Sequence, residues 1–205
     1  MRIFLIRHTE SIGNRQKVYA GMTDFDLTEK GLRQIDGVIT QFTKMIEPTS
    51  RYTLYSSPLR RCTLLSDAIE DLIGESKIVD HRLQETNFGL FEGKTYTDLL
   101  NEVPEIVEKW NEDLIHFQIP NGESLKQCAE RVNKFCYDIR SKNEDVIVVS
   151  HGGIMKLLLL NLLHLDLSHF WKFYTRNGCI IEIEYNDGFG FLKNIIQLNK
   201  EDGET

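Results

Sequence analysis

The run Asp145 to Ser150 (DVIVVS) constrains the fold more than any other stretch, because it is apolar at successive positions and passes directly into His151-Gly152-Gly153. A strand that is apolar on both faces must be covered on both faces, which points to the interior of a parallel sheet with helices packed on either side. The segment Arg2 to Ile6 (RIFLI) repeats the pattern. It ends abruptly in Arg7-His8-Thr9-Glu10, as a buried strand delivering polar groups to its carboxyl end would.

Strand and helix signals then alternate. Asn14 to Asp26 has no sustained period and reads as loop, and Thr28 opens a helix to about residue 46. Tyr52 to Ser56 is a second strand. Pro58 is placed in the first turn of a helix that stops at Gly74, and Ile78-Val79 is a weak third strand. The irregular stretch His81 to Gly93 precedes helices at about 95–102 and from Pro104 to about His116. Ser124 and Gln127 have capping-box spacing before a helical register that runs to Ile139. After the strand at 145–150 a helix begins at Ile154. Strands at about 179–185 and 189–197 are joined by the hairpin signal Asn186-Asp187-Gly188. Without repeats, linkers or low-complexity blocks, the 205 residues read as one α/β domain: a three-layer α/β/α sandwich with a mostly parallel central sheet and a frayed tail at 201–205.

Composition excludes several classes of partner. Twenty-four basic against 31 acidic side chains give a net charge of −7, so the surface as a whole repels nucleic acid and anionic membranes, and any phosphate site must be local. The longest apolar run, Ile154 to Leu165, is interrupted by Lys156, Asn161 and His164 and is too short for a bilayer. The N-terminus has no signal-peptide pattern, and a cytoplasmic protein is expected. Cys62, Cys128, Cys136 and Cys179 form no C-x-x-C and read as reduced core thiols. No H-E-x-x-H, paired-cysteine or P-loop spacing occurs, so neither a metal nor a nucleotide cofactor is expected. Oligomeric state is not written in the chain.

Three strand ends carry polar groups where an open α/β sheet binds ligands: Arg7-His8, Ser56 to Arg61, and His151-Gly152-Gly153. Two guanidiniums, two imidazoles and helix-start amides together suit a phosphoryl group. Glu85, in an irregular loop, is available to protonate a leaving alkoxide. Each residue singly has an ordinary reading. His8 alone is more often a hydrogen-bonded strand-end histidine, Arg61 a surface residue like Arg60, and Glu85 a solvated acid; His81, His116, His164 and His169 are left as ordinary polar positions.

Five ordered motifs change that balance. Arg7-His8-Thr9-Glu10-Ser11 with Asn14, Gly21 to Thr28 with Gly31 and Gln34, Ser57-Pro58-Leu59-Arg60-Arg61, Leu83-Gln84-Glu85 with Phe88-Gly89 and Glu92-Gly93, and Val149-Ser150-His151-Gly152-Gly153 together resemble the histidine phosphatase superfamily, the phosphoglycerate-mutase-like group. The resemblance covers most of the chain. It implies His8 as a nucleophile forming phosphohistidine, and Arg7, Arg61 and His151 as phosphate clamps. It further implies Glu85 as proton donor, Asn14 and the backbone of Gly21 as phosphate contacts, and Gly152 beside them at the turn. Arg60 is expected to point elsewhere. Thr9, Ala20 and Cys62 depart from the usual Gly, polar residue and Ala; of these, Ala20 bears on a substrate contact.

Such a site serves a hydrolase or a mutase, and relatives without turnover bind phospho-ligands only. The segment 86–120, read as a lid, holds seven acids against Lys94 and Lys109, which disfavours the highly anionic bisphosphates of a mutase. The segment Pro120 to Ser124 is similar to the phosphatase branch, including α-ribazole phosphatases. The expected substrate is a small phosphorylated metabolite, with α-ribazole phosphate as the branch-level analogy. Trp110, Phe117 and Tyr96 are candidates for an apolar wall around its leaving group.

Overall fold

The computed structural model describes residues 1–47, 49–142 and 144–198. Six strands form one sheet in the order β3-β2-β4-β1-β5-β6. Its parallel part consists of β1 (Arg2–Arg7), β2 (Thr53–Ser56), β3 (Ile78–Val79) and β4 (Val146–Ser150). β5 (Ile180–Asn186) and β6 (Phe189–Ile196) add an antiparallel hairpin, so the sheet is mixed, with its parallel strands in the majority. Asp187 (φ 50°) and Gly188 (φ 85°) both take the left-handed region that a two-residue hairpin turn of this twist requires.

Strand side chains alternate between two apolar layers. Phe4, Ile6, Leu54, Ile147 and Val149 meet α2 (Glu29–Thr43) and α3 (Arg60–Ile73). Ile3, Leu5, Val146, Val148 and Ile181 meet α6 (Leu125–Lys142) and α7 (Gly152–Leu162) on the other face. α7 is apolar almost all round because it lies in the core, where each fully buried leucine contributes about 1.5–3 kcal/mol. A third cluster, centred on Phe91, Leu99, Val107 and Ile119, joins α4 (Tyr96–Glu102) and α5 (Pro104–Glu112, with Trp110) to Tyr19 and Phe88. All four cysteines are free and buried. Among the described residues no helix is long and apolar enough to cross a membrane.

Several local expectations are corrected. The stretch read as loop from Asn14 contains most of α1 (Ile12–Gln16); five residues are too few to show a period, and a capping box between Ser11 and Asn14 starts the helix instead. Pro58 lies ahead of α3 rather than in its first turn, with Leu59 at the N-cap. α7 begins at Gly152, two residues earlier than its apolar pattern, because His151 already holds the cap conformation. α2 stops at Thr43, and α5 stops at Glu112, where Asp113 takes over the backbone amides of Ile115 and His116 in a turn. A 3-10 helix at Leu167–Lys172 has no counterpart among the expected elements. The expected frayed tail, 201–205, lies outside the described residues.

Register is what assembles the site. β1 and β4 run in step, with Arg7 opposite Ser150, and the His8 amide donates to the Ser150 carbonyl at 2.9 Å. β2 ends one residue behind β4, and the Ser57 amide donates to the Val149 carbonyl at 3.0 Å. His8, Ser57 and His151 therefore leave the same carboxyl edge side by side.

Candidate active site

His8 and His151 are almost fully buried, with ring centroids 5.2 Å apart and the rings edge to face. The Nδ1 of His8 lies 2.7 Å from the Thr9 carbonyl. A carbonyl only accepts, so Nδ1 carries the proton and the lone pair is left on Nε2. Burial pushes the His8 pKa well below its ordinary value, and the cations Arg7 and Arg61 push it further, so the ring is neutral.

His151 has the opposite tautomer. Arg61 Nε donates to its Nδ1 at 3.1 Å, and its own Nε2–H donates to Ser57 Oγ at 2.8 Å. Burial, then Arg61, hold its pKa well below the ordinary value. Cys62 Sγ lies 3.5 Å from His151 Nε2, and burial raises that thiol to about 12, so it stays protonated.

The two arginines are held differently. Arg61, 1% exposed, donates from Nη1 to the Thr23 carbonyl at 2.8 Å and from Nη2 to the Gly21 and Ala20 carbonyls at 2.8 and 3.2 Å. Arg7 donates from Nη1 to the Thr175 carbonyl at 2.6 Å, while its Nε is buried without a partner among the described residues. An orphaned guanidinium N–H beside a neutral imidazole suits an anionic oxygen. Arg60 points away, with Nε 3.0 Å from Asp26 at the surface.

Glu85 hangs on two amides. Its Oε1 accepts from Thr86 N and its Oε2 from Gly153 N, each at 3.0 Å. A Cβ on Gly153 would stand 2.5 Å from Glu85 Oε1, so this helix start has to be glycine for the carboxylate to lie there. Gly152 packs against the Arg7 guanidinium, whose Cζ would be 3.1 Å from a Cβ. Behind the loop, Arg131 donates to the carbonyls of Arg82 (2.6 Å) and Glu85 (2.9 Å) and pairs with Glu123.

The structure thus brings Arg7, His8, Arg61, Glu85, His151 and Gly152 together. Asn14 is tied to the same strand end, its Oδ1 accepting from Asn177 Nδ2, which also donates to the His8 and Thr9 carbonyls. Gly21 is held by its backbone. Its amide donates to the Glu92 carboxylate at 3.1 Å and its carbonyl accepts from Arg61, so both backbone groups are engaged within the protein.

Several residues here have no role that the sequence alone assigns. Glu92 accepts from the amides of Gly21, Met22, Thr23 and Phe88 and from the Thr23 hydroxyl, fixing the loop whose carbonyls hold Arg61. Its motif was visible; the convergence of five donors was not. Asn177 and Thr175 lie in an aperiodic loop with no local signal. Lys156 did have one, as a lone cation inside the apolar run from Ile154. Of the three aromatics proposed for an apolar wall, Trp110 lines the cavity above Glu85, Tyr96 is exposed and Phe117 is not in its wall. No cluster of three or more His, Cys, Asp or Glu side chains able to hold a metal occurs among the described residues.

Residues 3–197 match the profile of the histidine phosphatase superfamily (branch 1). The chain belongs to this superfamily. Within the histidine phosphatases it is 31% identical over 180 residues to phosphoserine phosphatase 1 of Hydrogenobacter thermophilus, spanning 87% of this chain and 83% of that protein. It is 31% identical over 201 residues to the adenosylcobalamin/alpha-ribazole phosphatase of Salmonella typhimurium, spanning 94% and 95%. Among solved structures, the alpha-ribazole phosphatase from Shigella flexneri superposes over 100% of both chains with a TM-score of 0.86 at 26% identity. The three-layer histidine phosphatase fold is therefore shared along the chain's length.

Proposed function

We propose that this chain is a phosphomonoester hydrolase acting through phosphohistidine on a small phosphorylated metabolite. The observation that carries the reading is the His8 tautomer: Nδ1 is committed to the Thr9 carbonyl, and a neutral Nε2 lone pair remains beside Arg7, Arg61 and His151. In this reading Nε2 attacks phosphorus in line, the P–N bond forms as the P–O bond to the alcohol breaks, and Glu85 gives its proton to the departing oxygen. Water then attacks the phosphohistidine, Glu85 takes its proton, and inorganic phosphate leaves. The arginines neutralise the equatorial oxygens, so the chemistry asks for no divalent cation.

Residues 1–205 act as one catalytic unit in this proposal, and 86–120 serve as its lid. Support comes from the small apolar cluster that joins α4 and α5 to Tyr19 and Phe88, beside the cavity that Glu85 lines. The acidic lid favours hydrolysis over transfer between phosphoglycerates.

The test is phosphate release from a panel of phosphomonoesters, including α-ribazole phosphate and phosphoserine, in excess chelator. Hydrolysis should persist, and acid quenching with labelled substrate should trap phosphohistidine. Activity that vanishes on chelation and returns with zinc or magnesium would overturn the mechanism. Efficient bisphosphate-primed isomerisation of 3-phosphoglycerate on the same preparation would make the mutase reading correct, and binding without turnover would make the chain a phospho-ligand module.

A further inference from the structure

Glu85 shares the wall of a cavity of ≈ 270 Å³ that is lined mainly by apolar groups such as Phe88, Trp110, Leu114, Ile119, Phe170 and Trp171. Its volume matches the body of a small leaving group. One cation, Lys156, shares the wall. It lies three residues beyond Gly153, on the same face of α7 as the amide that holds Glu85. Its stem is half-buried and its ammonium stands 4.9 Å from the centroid of the Phe170 ring.

Among the described residues Lys156 has no hydrogen bond or ion pair. Burial, then the nearby Arg7, lower its pKa, and Glu85 opposes them. The carboxylates within the cavity are already engaged. Glu85 is held by the Thr86 and Gly153 amides, and Glu123 by Arg131 and the Asn87 amide. The Phe170 ring is its one internal contact of this kind, and a half-buried ammonium without a hydrogen-bond or ion-pair partner is costly unless a bound group supplies one. One lysine facing a cavity that also contains two acids suits a single negative charge better than a second phosphate dianion.

We infer that Lys156 selects phosphomonoesters whose alcohol portion carries a carboxylate, with the rest of that portion lying on the aromatic wall. The inference rests on the phosphatase reading and narrows it, ranking acidic metabolites above α-ribazole phosphate.

A matched pair of substrates tests it: 4-carboxyphenyl phosphate against its neutral near-isostere 4-carbamoylphenyl phosphate. The wild-type protein should prefer the carboxylate in kcat/KM by about tenfold or more, chiefly through KM, as for a charge-assisted hydrogen bond. Lys156→Met should bring the ratio near one, and Lys156→Arg should retain most of it. Equal kcat/KM values in the wild type would overturn the inference. So would a Lys156→Met variant that loses kcat equally on both esters, since the lysine would then act only through Glu85. Calorimetric binding of the corresponding benzylphosphonates needs no turnover. If neither ester is hydrolysed, the phosphatase reading fails, while the affinity ratio of the two phosphonates still decides whether Lys156 reads a carboxylate.

Discussion

At the residue scale the two partners of the proposed chemistry should fail in different steps. His8→Ala removes the atom that accepts the phosphoryl group, so turnover should vanish even for a nitrophenyl ester, and no phosphoenzyme should be trapped. Glu85→Gln keeps the nucleophile and loses the proton donor, a contribution of about 10²–10⁴-fold for a poor leaving group and much less for nitrophenolate. Equal losses on alkyl and nitrophenyl phosphates in rapid-quench experiments would remove Glu85 from the acid's role. Gly153→Ala tests the same carboxylate from behind. A Cβ 2.5 Å from Glu85 Oε1 must displace it, so this variant should reproduce the leaving-group dependence of Glu85→Gln with the carboxylate still present. If Gly153→Ala turns over alkyl phosphates at the wild-type rate, the position of Glu85 against the α7 start is not what makes it a donor.

At the scale of elements, the loop 20–23 is held from both sides, by Glu92 accepting from its amides and by Arg61 donating to its carbonyls. Glu92→Gln turns one acceptor oxygen into a donor facing those amides. We expect a stability loss on the order of 2–3 kcal/mol in urea titration, as for hydrogen bonds to a charged group, together with a raised KM as Arg61 loses its anchors. An unchanged KM in a folded but destabilised variant would show that Arg61 keeps its position without the loop. This arrangement also shows why some elements are legible in a sequence and others are not. β1, β4 and the His151-Gly152-Gly153 turn stand out because a strand covered on both faces has an unbroken apolar run that ends in polar residues. α6 announces itself through Ser124 and Gln127, whose side chains do cap each other's amides. α1 is too short for periodicity and the 3-10 turn at 167–172 has none, so both depend on tertiary context. For the candidate site, the residues next to strand ends were readable because topology gathers strand ends. The residues that restrain them, Glu92, Asn177 and Arg131, act through backbone groups distant in sequence, and no local pattern records that.

For the whole molecule, a chain of net charge −7 encloses two guanidiniums and two neutral imidazoles in one buried site. That arrangement has a linkage consequence. Burial is the first cause holding both histidine pKa values below 6.5, followed for His8 by Arg7 and for His151 by Arg61. Above pH ~7.5 both histidines are neutral in folded and unfolded chains alike, so they add no pH dependence. As pH falls through ~6.5 the unfolded chain takes up the two protons and the folded one does not, so stability must fall with acidity. The slope approaches ~1.4 kcal/mol per pH unit for each histidine. Between pH 7.5 and 5.5 one such group accounts for up to about 1.4 kcal/mol in total. Other groups titrate over the same range, so the comparison is between the wild type and His8→Gln, each unfolded in urea at both pH values in phosphate-free buffer. The variant should lose less stability over that interval by about the contribution of one histidine. Identical losses would mean that His8 takes up a proton in the folded protein as readily as in the unfolded one. The neutral Nε2 would then owe nothing to the fold and would be lost to protonation as pH falls below ~6.5.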